Sequence, residues 1–385
     1  MTETLKLRVL CWDHPRCTSP VRAAASEWQS ARPHVQFRVM ARPLAAFNDQ
    51  PLSEIAASAD LIFIDHPMVG GVADSGALLP LNDLLSDELL RGLATDSVGD
   101  SHASYTWNEQ QWAIAVDAAC QVAVLDPTRF PEVLGETPKT WDDVLQCARR
   151  VRGAVAIPLY PSDAVLSLVS ITANLRTNGS REDAFWSTDA LEIMRELARW
   201  VDPTCYELNP PKMLDHMSTA SADVAPVYIP LSFGYTNYQR PTATGRRLSF
   251  VDVPSVGPTP SGAVLGGAGL AVSASSAHPQ EAARFAAWLA APEAQRTAVL
   301  LHEGQPGSRA VWQDPVADQV VGGFFSGTIE TIESSHVRPR DPWWPGYQEA
   351  AGRLLVELLR ENASASSIHR DLSRLLDKAR RKESS

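Results

Sequence analysis

Long apolar runs, paired cysteines and an excess of positive charge are all missing from this chain. No stretch approaches the roughly 18 uncharged apolar residues that a helical membrane span needs. The five cysteines (Cys11, Cys17, Cys120, Cys147 and Cys205) are odd in number and never in Cys-x-x-Cys spacing, which excludes a disulfide framework or a zinc knuckle. Free thiols fit a reducing compartment. With 34 Lys and Arg against 45 Asp and Glu, the net charge of -11 argues against nucleic acid as the main partner. The one basic block, Lys378-Ala379-Arg380-Arg381-Lys382, suits the negative pole of a terminal helix. Also lacking is a basic segment followed by an apolar core and a small-residue cleavage site; Met1 to Lys6 leads directly into an apolar run. The expectation is a cytoplasmic protein as written, or a periplasmic or cell-surface one if a leader has been removed.

What is present is an ordinary globular composition, 44% hydrophobic and 21% charged, over 385 residues. That length exceeds one ordinary core and predicts two lobes. Leu7 to Leu10 and Leu61 to Ile64 read as buried strands of parallel-sheet type. Each stops at the same corner, Asp13-His14-Pro15 and Asp65-His66-Pro67. Ligands of open α/β sheets sit beyond the carboxyl ends of strands, so the two corners point at one rim. Equally, Asp and Pro are common turn residues, and His between them serves to cap a helix or face water.

Helices are expected over Val21 to Ala31, Leu52 to Ala57, Ala164 to Leu175, Ala190 to Val201, Gly346 to Arg360 and Ala365 to Arg380. Thr140-Trp141-Asp142-Asp143 opens a further helix with an N-cap and early acids. Strands are expected over Val35 to Met40, Trp112 to Asp117, Cys120 to Leu125, Val155 to Leu159, Asp223 to Ile229 and Leu248 to Val253. Pro230 to Arg240 reads as an aromatic loop. Gly266-Gly267 in Val264 to Val272 allows close backbone approach to a neighbour or ligand. His278-Pro279-Gln280-Glu281 opens a helix to Leu289, and Pro292 to Leu301 another.

In this order the segments resemble the family 1 extracellular solute-binding proteins of ABC transporters. Trp12-Asp13 is similar to that family's first ligand-loop strand, Asp60-Leu-Ile-Phe-Ile-Asp65 to its Asp-initiated strand, and Trp112-Ala-Ile-Ala-Val-Asp117 to its crossover strand. Leu265-Gly-Gly-Ala-Gly-Leu-Ala-Val272 resembles the return crossover, and His278 to Leu289 followed by Pro292-Glu-Ala-Gln295 resembles its paired helices. The resemblance implies an α/β, two-lobed type II periplasmic-binding fold with hinge crossovers and C-terminal helices. Lobe one is expected over 1–112 with a return at 264–315, and lobe two over 113–263 and 316–385. A carbohydrate or sugar acid captured by hinge closure, an ABC permease as partner, a monomeric state and no cofactor are the corresponding expectations. The Asp-His-Pro corners are not part of the family pattern.

On that fold, Trp12, Asp13, His14, Asp65 and His66 are expected to line the first lobe. Asp117 reads as a hydroxyl acceptor at the crossover or as the N-cap of the segment after it. Gly266 and Gly267 lie at the return crossover. Trp107, Tyr228, Phe233, Tyr235, Tyr238, Trp343 and Trp344 lie in loops or at strand ends, where a ring stacks on a sugar face or fills the core. The Pro-flanked Trp343-Trp344 pair reads as poorly placed for burial. Arg338 and Arg340 suit an acidic ligand or an ion pair, and Arg309 has the same two readings. A metal held by Asp13, His14, Asp65 and His66 is disfavoured, since no spaced His or Cys pair supports it. The alternatives are a ligand sensor or an enzyme: a thiaminase-I-like protein of the same fold with Cys120 as nucleophile and Asp117, His14 or His66 as base, which needs a thiolate-favouring environment.

Overall fold

The computed structural model describes residues 4–43, 52–176 and 185–383. Residues 1–3, the start of the Met1 to Lys6 stretch on which the leader expectation rests, lie outside them. The chain divides into two compact units. The first comprises Met1–Ala119, Gly266–Val320 and Arg338–Pro342; the second comprises Cys120–Leu265, Val321–Val337 and Trp343–Ser385.

Unit 1 is built on β1 (Leu5–Trp12), α1 (Pro15–Ala31), β2 (Val35–Arg42) and β3 (Leu61–Ile64). β1 runs parallel to both neighbours, with Leu7 opposite Phe37 and Val9 opposite Leu61. A short helix, α2 (Val69–Ser75), follows the second corner. The period-2 alternation of β1 sorts its side chains to two cores. Leu7, Val9 and Cys11 pack with Val21, Ala24 and Trp28 of α1, whereas Leu10 joins Ile62, Ile64, Val69 and Tyr105. Arg8 is tied to Asp60, which accepts its backbone N–H at 2.8 Å and its Nε–H at 2.9 Å.

The stretches read as two strands, Trp112 to Asp117 and Cys120 to Leu125, form one strand, β4 (Ile114–Leu125), which begins in unit 1 and ends in unit 2. Unit 2 continues with α3 (Pro161–Leu175), β5 (Tyr228–Phe233) and β6 (Ser249–Val251), both strands antiparallel to β4. Strand β5 therefore occupies the first part of the expected aromatic loop. Val155 contributes only a bridge to Tyr228 in place of the expected strand. Back in unit 1, β7 (Leu265–Ser273) pairs antiparallel with β3, and α4 (Pro279–Ala290) starts at its Pro. The expected helix from Pro292 is a single α-turn that passes into π- and 3₁₀-helix up to His302. α5 (Trp344–Arg360) and α6 (Ala365–Glu383) close unit 2. Among the described residues, no helix is long and apolar enough to cross a membrane.

Candidate functional site

The parallel register of β1 and β3 brings both corners to one edge of the unit 1 sheet. Asp13 is exposed there, its backbone N–H donating to Arg42 O at 2.7 Å. His14 caps α1: its Nδ1 accepts from the Arg16 N–H at 3.1 Å. Asp65 accepts from the His66 N–H at 2.9 Å and caps the next turn. Both corners thus perform the capping that their composition allows.

Two charge pairs engage further polar groups of unit 1. Arg338 donates from one terminal nitrogen to both carboxylate oxygens of Asp65, at 2.7 and 2.8 Å, with its side chain only 4% exposed. Arg16, on the first turn of α1, grips Asp117 in a fork, Nε to Oδ2 at 2.7 Å and a terminal nitrogen to Oδ1 at 2.6 Å. That pair is buried, with side-chain exposures of 4% and 7%. Burial holds the Asp117 carboxyl above the ordinary carboxylate range, against the pull of Arg16. The expected hydroxyl acceptor therefore has both oxygens engaged by a residue the sequence reading did not single out. An Arg two positions after a helix-capping His was its only local sign.

Other expected site residues are spent on packing. Trp12 is buried against Phe63, ring centroids 5.6 Å apart. His66 is buried beside Asp65 and edge-on to Tyr105. Gly266 is buried, and a Cβ on Gly267 (φ 106°) would lie 2.3 Å from Asp117 O, so this glycine serves the approach of one backbone to another. Tyr228, at the start of β5, is buried against Phe130. Tyr235 is buried and edge-on to Tyr238. Trp344 departs most from expectation: it is fully buried as the first residue of α5, its Nε1–H donating to Gln348 Oε1 at 3.0 Å and its ring 5.1 Å from Phe185. The helix begins two residues earlier than expected, at Trp344 instead of Gly346, and turns this indole inward. Arg309 donates to Ser97 O at 3.1 Å.

Cys120 is 2% exposed on β4, and burial, then the charge of Asp252, pushes its thiol well above the ordinary range. Both effects disfavour a thiolate. Among the described residues, no group of three His, Cys, Asp or Glu is arranged to hold a metal ion.

Unit 2 contains a cavity of about 310 Å³ at the last turns of α3, lined by Thr172, Arg176, Phe185, His336 and Arg380 among others. Its volume is at the lower end of the range usual for small-molecule sites. Half-buried Trp343 stands beside it, 6.1 Å from the Phe185 ring, with the Arg380 guanidinium 5.3 Å from the indole. Burial, then the charge of Arg176, lowers His336 to about 4, so near neutral pH it is an uncharged hydrogen-bonding group. An aromatic surface and polar groups thus meet here, and Phe185 and His336 are not among the residues expected from the sequence.

The sequence profile described as bacterial extracellular solute-binding protein matches residues 12–296. The chain belongs to this family. No curated protein matches the sequence. Among solved structures, an ABC transporter solute-binding protein from Agrobacterium radiobacter in complex with ribitol is 15% identical, with 98% of this chain and 99% of that one covered and a TM-score of 0.77. One from Thermotoga lettingae bound with α-D-tagatose is 17% identical over 97% and 99%, with a TM-score of 0.78. Maltose-bound MalE3 of T. maritima is 13% identical over 97% and 99%, with a TM-score of 0.76. At these identities the likeness establishes the architecture, the α/β two-lobed fold of solute-binding proteins. The Cys120 enzyme is not favoured.

Proposed function

We propose that this protein captures a small polyhydroxy solute, a carbohydrate or sugar alcohol, by hinge closure and hands it to an ABC permease outside the cytoplasmic membrane. The observation that carries the reading is family membership over residues 12–296, joined to end-to-end likeness to proteins bound to ribitol, tagatose and maltose. The groups assigned to contact are Asp13 in unit 1, and Trp343, Phe185, Thr172 and His336 in unit 2. Rings pack on C–H faces while the uncharged imidazole and the hydroxyl pair with solute hydroxyls. In unit 1 the pairing of Arg338 with Asp65 favours a neutral solute over an acidic one. A sugar acid is the second reading, favoured by Arg176 and Arg380 at the unit 2 cavity.

Thermal shift with ribitol, mannitol, tagatose, maltose, gluconate and galacturonate tests both. Ligand at 100 times its Kd adds about 2.7 kcal/mol to the folded state, a rise of several degrees. A rise with a neutral probe that is recovered unchanged is expected. A rise confined to gluconate or galacturonate establishes the second reading. No rise with any of the six, in a sample that melts cooperatively, overturns the proposal.

A further inference from the structure

The shortest passage of the chain through unit 1 is Arg338–Pro342, entered from Val337 and left at Trp343, both of which belong to unit 2. Three sets of contacts fix these five residues. Arg338 forms its two short bonds to Asp65. Arg340 donates from one terminal nitrogen to Ala103 O at 3.1 Å and Thr106 O at 2.8 Å. The carbonyl of Arg340 accepts the Gly70 N–H at 3.1 Å, a donor in the first turn of α2 that has no partner within its own helix. The approach is so close that a Cβ on Gly70 would stand 2.1 Å from Arg340 O and 3.1 Å from Pro342 Cδ. Gly71, the next residue of the same helix, has nothing within 4 Å of such an atom.

We propose that Arg338–Pro342 is a strap that unit 1 carries as its own, and that Asp65, Gly70 and Arg338 are positioning residues for solute capture. The inference rests on the proposed function. A segment held at three places moves with the unit that holds it, so bending in this passage is confined to its two ends. One end is continuous with His336 and the other with Trp343, the residues at and beside the unit 2 cavity. Asp65 thus acts on the solute through Arg338 and the strap.

The pair of adjacent glycines supplies the test. Ala favours helix over Gly at both positions, so helix propensity stabilises Gly70→Ala and Gly71→Ala alike. Only Gly70→Ala drives a methyl into the strap. The readouts are hydrogen exchange of the residue 70 amide by NMR, and calorimetric affinity for ribitol, mannitol, tagatose and maltose. Gly70→Ala is expected to speed exchange at residue 70 by about tenfold or more, and to weaken by about tenfold whichever probe the native protein binds. Gly71→Ala is expected to match the native protein in both. Equal exchange and affinity in the two variants overturns the strap. Fast exchange with native affinity overturns the positioning role. Where the native protein binds none of the four neutral probes, the proposed function fails while residue 70 exchange still decides the strap. If Gly70→Ala does not fold, Arg340→Met removes the two carbonyl bonds and is expected to give the same pair of effects.

Discussion

Replacing Arg16 by Ala separates two roles for Asp117. In the structure, Arg16 supplies two charge-assisted hydrogen bonds to a carboxylate shielded from water. Removing the guanidinium leaves that carboxylate buried without its cation, a loss of about 3–5 kcal/mol. In a unit of this size each kcal/mol moves the melting point by roughly 2–4 °C, so a fall of about 6–20 °C is expected. The double variant Arg16→Met with Asp117→Leu exchanges the pair for apolar groups of similar length. Such replacements of buried pairs range from neutral to stabilising, so it is expected to recover most of the loss. Differential scanning and urea titration measure both. The double variant is also expected to bind neutral sugar probes as the native protein does, because neither oxygen of Asp117 is assigned to the solute. A fall of under about 2 °C for Arg16→Ala would refute the energetic reasoning. Loss of probe binding by a folded double variant would return Asp117 to the solute contacts.

Three further outcomes follow from the packing and the titrating groups. Trp344→Ala removes a fully buried indole and is expected to cost about 3–5 kcal/mol in urea unfolding, whereas Trp343→Ala, half-buried, is expected to affect probe affinity more than stability. Cys120 is expected to resist iodoacetamide in the native protein and to react after denaturation, read by peptide mass spectrometry, because its thiol is both buried and raised. Burial lowers His102 and His336 to about 4, below the ordinary 6.5. A depressed base binds fewer protons folded than unfolded, so its contribution is complete above 6.5 and is lost as pH falls towards 4. Stability is expected to fall over that window by up to about 1.4 kcal/mol per pH unit for each histidine, and His102→Gln to flatten the slope by about one proton.

Elements whose information is local were legible. The apolar run of β1 predicts a buried strand whichever sheet it joins, and Asp-His-Pro predicts a stop and a cap. Pro279 at the start of α4 follows from its missing N–H and fixed φ. The partners of the site residues were not legible. Asp117 finds Arg16 across 101 positions and Asp65 finds Arg338 across 273. No periodicity or spacing encodes such pairs, since any of the chain's arginines satisfies the same carboxylate chemically. The misplacement of Trp344 is of a different kind. Prolines on both sides suggested a loop, but Pro345 is equally at home in the first turn of a helix, and that single alternative converts an exposed indole into a core one.

The same distinction explains why fold and contact residues separate here. The corners follow the carboxyl ends of β1 and β3, where a ligand-binding fold presents its strand ends, and Asp117 and the return glycines lie within β4 and β7, the strands by which the chain passes from one unit to the other; position alone makes them candidates. Whether a polar side chain at such a place serves the solute depends on what else reaches it. For Asp65 and Asp117 an arginine arrives first, and for Gly267 the neighbouring backbone does. Asp13, exposed at the same edge, keeps its carboxylate at the surface. Strand-end position therefore selects where the solute is sought, and long-range charge pairing decides which residues remain to meet it. That is why, along with Asp13, the strap carrying Arg338 is the place where perturbing unit 1 is expected to change affinity.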